Sequence, residues 1–184
     1  QYIRNSTYKK VLVVGTELLS RITDWTDRNS CILFADGAGA IVLSASEEQG
    51  IISTHIHADG KYADLLCCDN PIQYQNQCMA PYIKMKGNDV FKVAVKTLSR
   101  IVDETLETNG IRRRDIDWLI PHQANMRIIQ ATAKKLNMPL EQVVITVNKH
   151  GNTSSASIPL ALDIAVRDGR IQRGQLMLLV AFGG

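Results

Sequence analysis

The spacing of apolar residues changes along the chain from strand-like to helix-like. The segment KVLVVGTE at 10–17 is rich in β-branched residues and predicts a short buried strand. Residues 31–46 predict two strands separated by the turn signal Asp36–Gly37, and residues 50–59 predict a further strand. Residues 60–80 have no clear period, so we expect a long surface excursion there.

From residue 88 onward the apolar spacing becomes helical. Asn88 is the predicted N-cap and Gly110 the predicted residue after the helix end. Two neighbouring apolar rows lie between them and predict a wide buried face. They consist of Phe91, Val95, Leu98 and Val102, and of Val90, Ala94, Thr97 and Ile101.

The second half of the chain alternates strands and helices. We predict strands at DWLIPH, which ends at His122, at QVVITVN (142–148) and at GQLMLLVAF (174–182). Helices are predicted over about 125–137 and about 154–168, where Pro159 is tolerable only in the first turn. This alternation predicts a layered α/β fold.

Composition narrows the class of protein. The chain is 45% hydrophobic and 21% charged, which fits a folded globular protein and excludes disorder. No apolar run approaches the roughly 18 residues needed to span a bilayer. A net charge of +3 favours an acidic partner but is too small to indicate nucleic acid. The four cysteines lack zinc-ligand spacing, so we expect reduced thiols in a cytosolic protein.

Two settings single out polar side chains. His122 follows a strand, where ligands gather in open α/β folds, and it could donate a hydrogen bond, shuttle a proton or simply cap the next helix. Asn152 lies in HGNTSSAS between a strand and a helix, where small neighbours permit close ligand approach, and it could equally be an N-cap.

The helix after His122 has one basic face. Arg127 and Lys134 share that face with Lys135 nearby, and no acidic residue occurs between His122 and Glu141. This face is either a docking surface for an acidic partner or a plain solvated surface. The predicted buried stripe of the same helix consists of Met126, Ile129, Ala133 and Leu136.

Several motifs together resemble one family of enzymes. Strand-H-Q-A-N-x-R and H-G-N-T-S-x-A-S-x-P are joined, in the family's order, by DWTDRN, FADGAGA, HADG, KGNDVFKVAV, ATAKKL and AVRDGRI. The chain resembles the β-ketoacyl-[acyl carrier protein] synthase III family, the condensing enzymes that start bacterial fatty-acid synthesis. The resemblance covers essentially the whole chain, so it is more specific than any single motif.

The resemblance implies a thiolase-like layered αβαβα fold, usually assembled as a homodimer. Residues 1–48 would be the tail of the N-terminal half, and residues 49–184 would be the C-terminal half without its last strand. The chain starts without Met and stops after an apolar run and two glycines, so we expect part of a longer protein. The family's nucleophilic cysteine would lie upstream of residue 1, and this chain alone is expected to be inactive.

The resemblance also assigns roles to individual residues. His122 and Asn152 would stabilise the enolate formed when malonyl-carrier protein loses carbon dioxide. Arg28 would contact the adenine region of coenzyme A, and Gly184 would belong to a glycine-rich loop at the active site. The pantetheine tunnel would be lined by Gly87, Asn88, Phe91, Ala124 and Asn125. Docking of the acyl carrier protein would use Gln123, Ala124, Asn125, Met126 and Arg127.

The implied partners are acyl-CoA and acyl carrier protein, with the coenzyme A thioester as substrate and no separate cofactor or metal. We expect a cytoplasmic enzyme with no nucleic-acid or membrane partner. Three alternatives stay open. They are a starter condensing enzyme of a polyketide-type pathway, a carrier-protein-binding module without catalysis, and a serine hydrolase using Ser154 or Ser155, although no G-x-S-x-G elbow is present.

Overall fold

The computed structural model describes residues 1–68 and 82–183. Within these residues the strands are β1 (Lys10–Glu17), β2 (Gly37–Ser44), β3 (Leu66–Cys68), β4 (Ile83–Met85), β5 (Trp118–Pro121) and β6 (Met177–Val180). The helices are α1 (Gly87–Asn109), α2 (Met126–Lys135), α3 (Val147–His150) and α4 (Ser157–Arg167).

The described strands associate in pairs. Strands β1 and β2 are antiparallel along their full length, as are the shorter β3 and β4. Strands β5 and β6 are parallel, with Trp118 opposite Met177 and Pro121 opposite Val180. Because the two strands are parallel, their carboxyl ends meet at one edge, and the candidate histidine follows β5 at that edge.

Helix α1 supplies much of the core. Its buried positions are spaced by four residues, and the first four of them come from the two predicted apolar rows: Val90, Ala94, Leu98, Val102 and Leu106. All of these except Val90 join one core cluster with residues of α2, β5 and β6. The helix ends as predicted, with Gly110 in the left-handed region at φ 62°. The predicted N-cap is wrong, because Lys86 occupies the cap and Asn88 lies within the first turn.

Three predicted strands are corrected. Residues 50–59 form no strand, because His55 and His57 bind Glu104 of α1, with the nearest nitrogen–oxygen distances 3.2 and 2.9 Å. Residues 31–46 form one strand, β2, preceded only by a single bridge at Phe34. The segment 142–148 pairs with β5 only at Val143 and then enters α3.

Strand β1 forms over the predicted residues, but its predicted burial is wrong. Leu12 and Val14 are 63% and 56% exposed, and only Gly15 is buried. Gly15 is buried because the backbone of the loop before α4 lies against it: a Cβ here would stand 2.4 Å from the carbonyl oxygen of Ser155. Strands β1 and β2 therefore support the loop that carries Asn152.

Among the described residues, no helix combines the length and the apolar character that crossing a bilayer requires.

Candidate active site

His122 is held at the carboxyl end of β5 by its backbone. Its N–H donates to the carbonyl of Val180 at 2.8 Å, which extends the pairing with β6 by one residue. Its carbonyl accepts from the N–H of Ala124 at 3.0 Å and so starts the turn into α2. The cap of α2 is Asn125, whose side chain accepts from the N–H of Ile128 at 3.0 Å. The helix-capping alternative for His122 is therefore wrong.

The imidazole of His122 has one engaged nitrogen and one without a protein partner among the described residues. Nδ1 lies 2.6 Å from the hydroxyl of Ser157, while Nε2 makes no hydrogen bond there. Burial lowers the pKa of His122 from 6.5 to about 4, because the charged ring loses hydration. The imidazole is therefore neutral near pH 7.

Asn152 is fixed by both its backbone and its side chain. Its N–H donates to Leu33 at 2.8 Å, and its carbonyl accepts from Ala35 at 2.9 Å. The side-chain Oδ1 accepts from the N–H of Ser154 at 3.0 Å. Since the amide oxygen is used in this turn, the Nδ2 group is left to donate elsewhere. Asn152 does not cap α4, because that position belongs to Ala156.

Gly151 allows the turn that presents Asn152. Its φ of 66° and ψ of −161° lie in a region that essentially only glycine adopts. A Cβ at this position would also stand 3.0 Å from the Cβ of Ala35 and 3.2 Å from the carbonyl oxygen of Leu33. The glycine in HGN is thus required by conformation and by close packing.

We expect Gly151→Ala to lower the free energy of unfolding by about 1–3 kcal/mol, the usual range for a strained backbone position. Urea denaturation measures this change. Gly169→Ala is the matched control, because Gly169 also has a positive φ, 81°, but nothing lies within 4 Å of its added Cβ. Equal losses at both glycines would show that the contact with Ala35 and Leu33 has no energetic weight.

One cleft of about 560 Å³ brings most of the predicted site residues together. His122 and Asn152 both line it, and apolar side chains from α1 and the chain end form much of its wall. The predicted residues in this lining are His122, Asn152, Gly87, Asn88, Phe91, Ala124, Asn125, Met126 and Arg127. Gly184 lies outside the described residues. Arg28 is exposed and is not part of the lining, although its neighbour Asn29 is.

Gln123 is a structural residue of the site. It is 1% exposed, and its Nε2 donates to the carbonyls of Pro121 and Val144 at 2.7 and 3.1 Å. Its Oε1 accepts from the N–H groups of Thr146 and Val147 at 2.8 and 3.0 Å. After Val144, this side chain therefore forms the hydrogen bonds that a neighbouring strand would otherwise supply. Because it is buried, it is not available at the surface for a carrier protein.

The basic helix α2 begins at the rim of the cleft. The guanidinium carbon of Arg127 lies 4.9 Å from the centre of the Phe91 ring, a cation–π contact that joins α2 to α1. Met126 does not belong to the buried stripe, because it is 36% exposed and lines the cleft from the first turn. Ile128 and Thr132 join Ile129, Ala133 and Leu136 as the buried residues on and just beyond α2.

Several residues of the site were not found from the sequence. Leu33, Phe34, Met85 and Phe182 line the cleft from distant parts of the chain, and their apolar character gave no signal. Ser157 was noted only for its small size, although its hydroxyl contacts His122. The only hint in the sequence that Ser157 belongs to the site was its position five residues after Asn152.

The two candidate residues of the cleft, His122 and Asn152, are neutral hydrogen-bond donors. Among the described residues, neither a carboxylate nor a cysteine lines the cleft. Within residues 1–68 and 82–183, no three histidine, cysteine or acidic side chains are grouped to hold a metal ion. The serine-hydrolase alternative has no support among these residues, because neither Ser154 nor Ser155 forms a hydrogen bond with His122. The hydroxyl of Ser155 donates to Glu17 instead, and Ser157, which does contact His122, is only 2% exposed. Two neutral donors that line one cleft can stabilise an oxyanion.

Comparison with known proteins identifies the family. Residues 1–60 match the family model described as 3-oxoacyl-[acyl-carrier-protein (ACP)] synthase III, and residues 106–184 match the model of its C-terminal part. The chain is 63% identical over 187 residues to the β-ketoacyl-[acyl-carrier-protein] synthase III of Alkalilimnicola ehrlichii, with 100% of this chain and 58% of that protein covered.

Solved structures agree with this similarity. The crystal structure of 3-oxoacyl-[acyl-carrier-protein] synthase III from Aquifex aeolicus matches with a TM-score of 0.92 and 45% identity, over 100% of this chain and 57% of that one. A priming β-ketosynthase from a polyketide biosynthetic pathway matches with a TM-score of 0.93 and 36% identity, over 100% and 56%. These matches confirm the predicted thiolase-like α/β fold.

The chain spans about 58% of the length of the curated relative quoted above. The high sequence identity along the whole of this chain and the shared fold together identify its family. The chain belongs to the 3-oxoacyl-[acyl-carrier-protein (ACP)] synthase III family.

Proposed function

We propose that the protein containing this chain catalyses decarboxylative Claisen condensation of an acyl-CoA, typically acetyl-CoA, with malonyl-acyl carrier protein. The observation that carries the proposal is a neutral His122 and an oriented Asn152 lining one cleft. Loss of carbon dioxide from a malonyl thioester leaves its electron pair on an enolate, whose negative charge sits on the thioester oxygen. An imidazole N–H and an amide N–H₂ can stabilise that charge, whereas a carboxylate would repel it.

The enolate carbon then attacks the carbonyl of an acyl group carried on a cysteine. A carbon–carbon bond forms, the carbon–sulfur bond breaks, and the cysteine leaves as a thiolate. We infer that this cysteine is supplied by sequence upstream of residue 1. Support comes from the described part of the cleft lining, which contains none of Cys31, Cys67 and Cys68. The fourth cysteine, Cys78, lies outside the described residues.

The cleft has the composition expected of a pantetheine site. Phe91 and Ala124 offer apolar contacts beside Gly87 and the polar groups of Asn88 and Asn125. Asn125 would act mainly through its position, because its side-chain oxygen caps α2. Arg28 and Gly184 remain proposed contacts to coenzyme A and the active-site loop. Equilibrium binding of coenzyme A to Phe91→Ala, compared with the unchanged protein, tests the site.

Carrier-protein docking is proposed at the exposed start of α2. Arg127 is exposed, and Lys134 and Lys135 continue the basic face toward the helix end. An acidic carrier would be attracted to this face, which would speed encounter and fix register. The surface contacts proposed here are Ala124, Asn125, Met126 and Arg127, with Gln123 supporting them from below.

We expect Arg127→Glu to lower kcat/KM for malonyl-carrier protein by a factor that shrinks as salt rises. Exposed charges are screened over about 8 Å at physiological ionic strength, so high salt weakens wild-type docking too. Acyl transfer from coenzyme A should fall less. The measurement is kcat/KM for each substrate at low and high salt.

Arg173→Glu is the control for this reversal of charge. Arg173 is exposed and precedes β6, so it lies at the opposite end of the β5–β6 pair from His122. We expect it to change neither value appreciably. If Arg127→Glu lowers kcat/KM equally for both substrates, and by the same factor at low and high salt, the basic face is only a solvated surface.

A second candidate function is the priming condensation of a polyketide-type pathway, favoured by the structural match to a priming β-ketosynthase. The two functions share the chemistry and differ in the fate of the product. Deleting the gene separates them: loss of fatty-acid synthesis supports the first, and normal lipids with loss of a polyketide support the second.

A non-catalytic carrier-binding module would show no decarboxylation. Homodimer assembly and a cytoplasmic location remain predictions, which light scattering and cell fractionation can test.

A further inference from the structure

We propose that Ser157 is a positioning residue that fixes the ring and the tautomer of His122, donating its hydroxyl proton to Nδ1 so that Nε2 carries the imidazole proton into the cleft. This proposal rests on the proposed function only in giving Nε2–H a substrate oxygen to bind. The structural claim itself concerns the proton distribution between His122 and Ser157.

The contact is short and buried. The hydroxyl of Ser157 lies 2.6 Å from Nδ1 of His122. Ser157 is 2% exposed, so water does not compete for this bond. His122 is partly exposed and lines the cleft. One side of the ring therefore faces protein, and the other is available to a ligand.

A count of donors and acceptors assigns the proton. The oxygen of Ser157 already accepts from the backbone N–H of Gln123 at 3.3 Å. If Nδ1–H donated as well, both acceptor positions would be filled, and the serine proton would have no acceptor among the described residues. If the serine proton goes to Nδ1, both Nδ1 and the serine hydroxyl are satisfied, and Nε2 is left for a ligand in the cleft. The neutral ring then carries its single proton on Nε2.

Ser157 is itself rigidly held. It is the first residue of α4, and the start of this helix packs against glycines of β2. A Cβ on Gly37 would stand 2.9 Å from Thr153, and one on Gly39 would stand 2.6 Å from Pro159. The same short segment carries Asn152 and Ser157, so β2 supports the amide donor and the residue that orients the imidazole.

Histidine ¹⁵N NMR tests the tautomer directly in the protein extended to the full length of its relatives. We expect wild-type His122 to show a protonated, pyrrole-like Nε2 and an unprotonated, pyridine-like Nδ1. Ser157→Ala should give a mixture of tautomers. Ser155→Ala is the control, because it removes a hydroxyl bond of 2.6 Å in the same segment whose partner is Glu17. Its His122 signals should match those of the wild type.

Kinetics test the consequence with a pair of variants of similar shape. Ser157→Thr keeps the hydroxyl and Ser157→Val replaces it with a methyl group, so any cost of the larger side chain is shared. We expect Ser157→Val to lower kcat for malonyl decarboxylation on the order of tenfold to a hundredfold, the cost typical of losing the hydrogen-bond partner that orients a metal-binding histidine. KM should change little. Ser157→Thr should retain most of the activity.

Two results would overturn the proposal. One is a wild-type proton on Nδ1, and the other is equal decarboxylation by Ser157→Thr and Ser157→Val in folded protein. Should both variants unfold, Ser157→Ala supplies the same comparison with the wild type. Wild-type protein without any decarboxylation would contradict the proposed function instead, and the NMR result would still decide the role of Ser157.

Discussion

Replacing His122 with alanine is expected to lower malonyl decarboxylation on the order of a hundredfold or more, the usual cost of losing one oxyanion donor. The neutral imidazole lines the cleft, and its Nε2 has no protein partner among the described residues. Acyl transfer from coenzyme A to the cysteine should be largely retained, because that step forms no enolate. Release of carbon dioxide and formation of acyl-enzyme are measured in parallel.

His57→Ala is the control for histidine loss. His57 pairs with Glu104 on the outer side of α1 and does not line the cleft. It should decarboxylate malonyl thioester at the wild-type rate. If His122→Ala still catalysed condensation, His122 would have no role in the reaction.

Replacing Asn152 with aspartate is expected to abolish decarboxylation more completely than replacing it with alanine. Aspartate can still accept a hydrogen bond from the N–H of Ser154, so it keeps the turn. In the present turn, the Ser154 nitrogen lies 3.0 Å from Oδ1 of Asn152. It loses the Nδ2 donor and places a negative charge where the enolate oxygen develops. The loss should exceed the hundredfold to thousandfold range typical of one missing oxyanion donor.

The comparison between Asn152→Asp and Asn152→Ala separates catalysis from folding. Urea denaturation should show that aspartate destabilises the protein less than alanine, because only alanine removes the acceptor for Ser154. Activity should follow the reverse order. If both properties change in the same order, Asn152 acts through the turn and not on the reacting oxygen.

Sequence patterns predicted α1, α2 and α4 well because their signals are local, whereas α3 begins within a segment predicted as a strand. The apolar spacing and Gly110 located most of α1, and Pro159 correctly limited the start of α4. His122 and Asn152 were identified from their positions between strands and helices, and the family resemblance gave them a shared purpose. That they line one cleft depends on the pairing of β5 with β6 and on the bridge between Phe34 and Asn152.

The errors occurred where a distant contact overrides a local pattern. Residues 142–148 have strand composition, but the buried amide of Gln123 binds their backbone and ends the pairing after one bridge. Residues 50–59 are held by Glu104, which lies 47 and 49 positions away from the two histidines. Ser157 resembles its serine neighbours in sequence, and only the fold brings it to His122.

The position of the substrate oxygen decides whether His122 and Asn152 act together on the enolate. A crystal structure of the protein, extended to the length of its relatives and bound to a stable malonyl-thioester analogue, should show the thioester oxygen about 2.7–3.2 Å from both Nε2 of His122 and Nδ2 of Asn152. A thioester bound in the cleft with its oxygen away from both nitrogens would contradict the proposed roles of His122 and Asn152.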